Sequence, residues 1–153
     1  MEMRIEKIEP MRVACIRHLG PYENCGKAWE RLFVWAGKRQ LVGAETVSIG
    51  VSYDDPETTP PEKIRYDACI TVGGDVESED EVKVMEIGGG EYAKITHVGS
   101  YKDIKGAYRH LIGELIPQSG RKMRNAPCLE IYIDNPDEVP EEKRRTELCV
   151  PVE

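Results

Sequence analysis

His18-Leu19-Gly20-Pro21-Tyr22 and His97-Val98-Gly99-Ser100-Tyr101 carry one pattern twice, 97 − 18 = 79 residues apart. The same offset pairs Ala28-Trp29 with Ala107-Tyr108 and Leu32 with Leu111. Further along, Asp55-Pro56 pairs with Asn135-Pro136 at 136 − 56 = 80, Pro61-Glu62-Lys63 with Glu141-Glu142-Lys143, and Asp67-Ala68-Cys69 with Glu147-Leu148-Cys149. One residue of drift reads as a single loop insertion. Collinear matches at one offset mark an internal duplication, and a duplication decides the fold.

Each half has the same coarse order. Met11–His18 and Tyr92–His97 alternate apolar and polar residues as strands do, and the shorter Arg4–Ile8 and Val82–Ile87 precede them. Glu9-Pro10 and Gly88-Gly89-Gly90 read as turns folding these pairs into hairpins. A helix follows: Cys25, Ala28, Leu32, Trp35 and Ala36 form one apolar stripe, and Ile104, Ala107, Leu111 and Leu115 form its counterpart. Ser100 to Asp103 resembles a capping box, and Pro117 is expected to end the second helix. Two strands close each half, Val47–Tyr53 with Ile64–Val72 and Leu129–Ile133 with Arg145–Val152. The connections 54–61 and 134–140 are rich in Asp, Pro and Glu and read as exposed loops. The reading is α+β: duplicated β-α-β-β units with pseudo-twofold symmetry, an antiparallel sheet, two helices and a central ligand cleft. One domain is expected over 1–153, with its internal repeat at 1–73 and 82–153.

Composition bounds the function. The chain has 153 residues, 21 Lys and Arg against 28 Asp and Glu, and a net charge of −7. Hydrophobic residues make up 40% and charged residues 32%, an ordinary globular balance. No apolar run approaches a membrane span and the N-terminus has no secretory h-region, so neither membrane insertion nor export is expected. The acidic balance disfavours direct nucleic-acid binding and favours cationic ligands. Cys15, Cys25, Cys69, Cys128 and Cys149 are odd in number and widely spaced, with no CxxC pair. They read as small buried apolar residues in a reducing, cytoplasmic protein, with no disulfide framework or zinc site.

Standard catalytic motifs are absent: there is no GxGxxG, Walker P-loop, HExxH or GxSxG. Gly88-Gly89-Gly90 joins two strands and opens no helix, so it is no phosphate cradle. His18 and His97 share one repeat position before a glycine, which points to a structural role at a strand exit; no metal or cofactor is expected. Acidic residues within apolar strands are more informative. Alternation puts Cys128, Glu130 and Tyr132 on one face and Leu129, Ile131 and Ile133 on the other. If the second face meets the helices, Glu130 points to the opposite, concave side; Glu147 is placed similarly, with Asp67 its repeat partner. Trp29 and Tyr108 share a helix position, and Tyr66 lies in the last strand of the first half. A carboxylate ringed by such aromatics suits a planar or cationic aromatic ligand. Solvated strand carboxylates and plain core packing of Trp29 are the competing explanations.

Ser52-Tyr53-Asp54-Asp55-Pro56-Glu57-Thr58-Thr59-Pro60-Pro61-Glu62-Lys63-Ile64-Arg65-Tyr66-Asp67 resembles the signature of the GyrI-like family. The two His-x-Gly-x-Tyr segments, Glu86–Ala93 and Pro127–Tyr132 are similar to that family as well, in collinear order over nearly the whole chain. The resemblance implies a ligand cleft between the halves, a drug-binding glutamate falling on Glu130 and a ligand-contacting aromatic falling on Trp29. Tyr108 follows by the repeat; Tyr66 and Glu147 follow by position near the cleft. Family regulators carry a helix-turn-helix, and here the repeat uses the whole length. Three functions are thus expected in order: a stand-alone binder that sequesters planar or cationic compounds; a hydrolase of cyclopropanoid genotoxins with Glu130 as base and Tyr66 or Tyr108 as proton donor; and a modulator of DNA gyrase by protein contact.

Overall fold

The computed structural model describes residues 2–153. Its strands are β1 Arg4–Lys7, β2 Met11–Leu19, β3 Ser48–Ser52, β4 Arg65–Thr71, β5 Lys83–Ile87, β6 Glu91–Val98, β7 Cys128–Tyr132 and β8 Arg145–Pro151. Helix α1 is Gly26–Lys38. Helix α2 runs through Ile104–His110, a π turn at Leu111–Leu115, and Ile116–Gln118. This is the α+β, antiparallel, two-helix architecture that the sequence pattern implies.

The chain divides into two compact units, Pro10–Gly88 and residues 2–9 with Gly89–Glu153. In the first, β2 pairs with both β4 and β5, and β4 also pairs with β3. In the second, β6 pairs with β1 and β8, and β8 with β7. All these pairings are antiparallel. The expected hairpins do not form: the short first strand of each half pairs with the long strand of the other repeat. Around Glu9-Pro10 the backbone bonds show why. Ile8 N donates to Gly90 O at 3.0 Å and Gly89 N to Ile8 O at 2.9 Å, so Ile8 extends the β1–β6 ladder instead of closing a turn onto β2. Gly88, Gly89 and Gly90 all have φ near +90°, a backbone conformation that glycine adopts without strain, and a Cβ at Gly90 would meet the Arg124 guanidinium at 3.0 Å.

Each unit packs its helix on one sheet face, and the two cores repeat each other. In the first, Ala28, Leu32 and Ala36 of α1 meet Ala14, Ile16, Tyr66, Ala68 and Ile70. In the second, Ile104, Ala107, Leu111 and Ile116 of α2 meet Ala93, Ile95, Leu148 and Val150. Leu32 and Leu111 are fully buried, and truncation of either to Ala costs about 2–5 kcal/mol. The one-residue drift of the repeat lies in α2, not in a loop. Leu32 and Leu111 are 111 − 32 = 79 apart, but the next core residues, Ala36 and Ile116, are 116 − 36 = 80 apart. The π turn between them absorbs the extra residue and keeps both anchors on the core side. The helix ends at Gln118, one residue beyond Pro117.

Strand exits and loops are also duplicated. His18 Nε2 and His97 Nε2 each lie 2.9 Å from a carbonyl oxygen three residues on, Pro21 and Ser100, which is the structural role expected of them. Gly20 and Gly99 have φ of 126° and 130°. Asp54 accepts from Arg65 Nε at 3.0 Å and Nη2 at 2.9 Å, and Asp134 from Arg145 at 2.9 and 2.8 Å, so each Asp-rich loop is clamped by the arginine that opens the next strand.

The cysteine expectation is corrected. Cys15 and Cys69 face each other in the β2–β4 register with Cα atoms 4.2 Å apart and form a disulfide. Spacing along the chain did not reveal it, because the pair closes a separation of 54 residues through sheet register. The argument from cysteines for a reducing compartment falls with it. Cys25, Cys128 and Cys149 are free. Among the described residues, no helix is long and apolar enough to cross a membrane.

Candidate functional site

β7 positions the central carboxylate. Glu130 pairs in register with Leu148 of the helix-side core, and Cys128 packs against that same core. Glu130 therefore lies on the face that α2 covers, not on the opposite face; the alternation of residues holds, but the assignment of faces is reversed. The sequence could not decide this, because both sets on β7 contain apolar residues able to meet a helix.

Glu130 is 8% exposed. Tyr132 OH donates to Glu130 Oε2 at 2.8 Å. The Tyr108 hydroxyl, from α2, lies close to the same carboxylate and favours its charged form. Burial pushes the Glu130 carboxyl above its ordinary range, and the two phenols only partly oppose that rise. Among the described residues no Lys, Arg or His forms an ion pair with Glu130, so its negative charge has no protein counter-charge. Cys128 lies near enough that Glu130 adds to the burial that lifts its thiol to about 12. Tyr101 packs edge-on against the Tyr132 ring, centroids 5.7 Å apart and planes at 69°. Thr146, in register with Tyr132, is fully buried, and its hydroxyl has no hydrogen-bond partner among the described residues. The second unit thus gathers one buried carboxylate, three phenols and an unsatisfied hydroxyl.

The remaining expected residues divide. Trp29 and Tyr66 belong to the first unit, where Trp29 Nε1 donates to Tyr66 OH at 3.2 Å. The Tyr66 ring lies 5.8 Å from that of Tyr22, and Trp29 stacks on Phe33 at 5.9 Å. Tyr66 is core, whereas Trp29 keeps part of its indole accessible. Glu147 does not join Glu130. Its strand neighbour Leu148 points to the helix, so Glu147 points away, and Lys94 at 3.2 Å and Arg4 at 3.7 Å neutralise it. Asp67, its repeat partner, accepts from Tyr53 OH at 2.7 Å and from Arg17. Both carboxylates are structural ion-pair members. Tyr132 and Tyr101 join this cluster without being among the expected site residues; the strand alternation already puts Tyr132 on the face of Glu130, whereas Tyr101 stands out in the sequence only as half of the repeated His-x-Gly-x-Tyr pattern.

Fold and site together define a duplicated α+β domain with a buried carboxylate among phenols. Residues 1–153 match the GyrI-like small molecule binding domain, and the chain belongs to the GyrI-like family. It is 37% identical over 154 residues to a probable transcriptional regulator, YgiV, of Escherichia coli O157:H7, covering 99% of this chain and 96% of that one. It is 32% identical over 139 residues to the DNA gyrase inhibitor of Escherichia coli K12, covering 88% and 87%. Among solved structures, the EcmrR C-terminal domain superposes with a TM-score of 0.79 at 17% identity over 99% of this chain and 97% of that one. SAV2435 bound to tetraphenylphosphonium superposes with a TM-score of 0.66 at 16% identity over 100% and 94%.

Proposed function

We propose that this protein binds aromatic, planar or cationic compounds at Glu130 and protects the cell by sequestering them. The observation that carries this reading is the buried carboxylate that accepts from Tyr132, lies beside Tyr108 and has no ion-paired basic residue. An ionised carboxylate out of water requires a counter-charge, and without one in the protein it takes up a proton or a cationic ligand. Tyr108, Tyr132 and Tyr101 supply aromatic surface for such a ligand. Within the first unit, Tyr66 fixes the Trp29 indole by accepting its N–H. The test is calorimetric titration with tetraphenylphosphonium: wild type binds, and Glu130→Gln loses at least tenfold in affinity. Equal affinities would overturn the assignment.

The raised Glu130 carboxyl beside two phenols also favours a second reading, a hydrolase of strained electrophiles such as cyclopropanoids. There Glu130 would deprotonate water and Tyr108 would donate to the developing anion; Tyr66, buried and bonded to Trp29, suits that role less well. Mass spectrometry of the mixture decides it: gain of one water in the compound, lost in Glu130→Gln, supports hydrolysis, and an unchanged mass supports sequestration. The names of the gyrase-inhibitor relatives motivate a third reading, contact with DNA gyrase, which a supercoiling assay with and without this protein tests directly.

A further inference from the structure

Tyr101 is half-exposed beside the Glu130 site, and its ring is held from two sides. One contact is the edge-on Tyr132 ring, centroid to centroid 5.7 Å. The other is the Arg144 guanidinium, whose carbon lies 5.6 Å from the Tyr101 centroid. Arg144 is itself fixed: Nε donates to Val139 O at 3.1 Å and Nη2 to Pro136 O at 3.0 Å, while its carbonyl accepts from Gly99 N at 2.8 Å. A chain of contacts therefore runs from the loop at 134–140 through Arg144, Tyr101 and Tyr132 to Glu130. The adjacent Arg145 is taken up by Asp134, whereas the hydrogen bonds of Arg144 go to backbone carbonyls and not to a carboxylate.

Two consequences follow from ring and charge chemistry. The electron-rich face of Tyr101 that Arg144 occupies is closed to a ligand cation, so a ligand meets Tyr101 by its edge or its other face. Arg144 also leaves one positive charge on the far side of the Tyr101 ring from Tyr132. A ligand with a single delocalised charge balances Glu130, whereas a second charge on the ligand is repelled by Arg144.

We propose that Arg144 and Tyr101 are the specificity determinants of this site: Arg144 holds the Tyr101 ring as a wall and selects singly charged aromatic ligands over doubly charged ones. This rests on ligand binding at Glu130. Nothing in the family comparison assigns either residue.

The test is titration of wild type, Arg144→Gln, Arg144→Lys, Tyr101→Ala and Glu130→Gln with tetraphenylphosphonium, a monocation, and methyl viologen, a planar dication. The ratio of the two dissociation constants is the readout, since a structural role alone does not change charge preference. Arg144→Gln should shift the ratio toward the dication about fivefold, the scale of one unit charge over roughly 10 Å in a partly screened site. Arg144→Lys keeps the charge and should keep the ratio. Tyr101→Ala should weaken the monocation about tenfold. Arg144→Gln that melts as wild type, binds tetraphenylphosphonium and leaves the ratio unchanged overturns the proposal while leaving Glu130 binding intact. If Arg144→Gln fails to fold, a ratio shifted in Arg144→Lys overturns it equally. Failure of wild type to bind either cation, or binding untouched in Glu130→Gln, overturns the underlying site as well.

Discussion

Glu130 is a buried carboxylate whose hydrogen-bond donor is a neutral phenol, Tyr132, with the Tyr108 phenol beside it. Its protonation therefore couples to stability with a definite sign. The folded-state value lies above the ordinary 4.5, so the neutral form is favoured in the folded protein. Its contribution is full below the ordinary value and is lost as pH rises through the raised one. Subtracting the pH profile of Glu130→Gln from that of wild type should leave a difference that falls with pH above 4.5; a flat difference in thermal melts would show that burial does not perturb this group. The paired carboxylates Glu6, Asp54 and Asp134 are lowered by their basic partners and act in the opposite sense, at more acidic pH. Because they are common to both proteins, the subtraction removes them. Glu130 and Tyr108 were visible in the sequence as a strand acid and a repeated helix aromatic. Their contact was not, since residue spacing cannot bring β7 to α2.

At the scale of elements, three features control stability. The Cys15–Cys69 disulfide ties β2 to β4 across a separation of 54 residues. Cys69→Ser should lower the unfolding free energy by about 2–4 kcal/mol, and thiol titration of the denatured, unreduced protein should find the three free cysteines only. The glycines divide by backbone conformation. Gly106 and Gly113 lie within α2, and an added Cβ at either meets nothing within 4 Å. Gly106→Ala should raise stability by about 0.5–1 kcal/mol. Gly99 has φ of 130°, so Gly99→Ala should destabilise by more than that gain; urea melts of the two variants give opposite shifts of midpoint. The π turn is the third feature. The drift from 79 to 80 was readable in the sequence, but an insertion in a loop and one in a helix leave the same trace in an alignment of repeats.

At the scale of the whole molecule, duplication raises the question of one site or two. The repeat equivalent of Glu130 is Gly50, 130 − 50 = 80 residues earlier, between Ile49 and Val51 on β3. The equivalent of Thr146 is Tyr66, which fills the first unit's core and bonds Trp29. The first unit therefore has neither the carboxylate nor the room, and calorimetry should give one tetraphenylphosphonium per chain; a stoichiometry of two would require a second anionic site. At a hundredfold excess over the dissociation constant, that ligand should stabilise the protein by about 2.7 kcal/mol. The net charge of −7 adds a long-range attraction for cations, so affinity should decline as salt is raised.

Residue pattern along the chain reveals the duplication, the eight strands and two helices to within one or two residues, the Asp-rich loops and Glu130 as the candidate carboxylate. These depend on side-chain period and turn chemistry, which act over a few residues. The exchange of β1 and β5 between repeats, the Cys15–Cys69 bond, the face on which Glu130 lies and the company of Tyr101 and Tyr132 emerge when the chain is packed. Each of these depends on which distant segment supplies a strand's hydrogen bonds. That choice is settled by the free energy of the whole packed unit, where Ile8 bonds Gly89 and Gly90 in preference to closing a turn onto its neighbour in sequence.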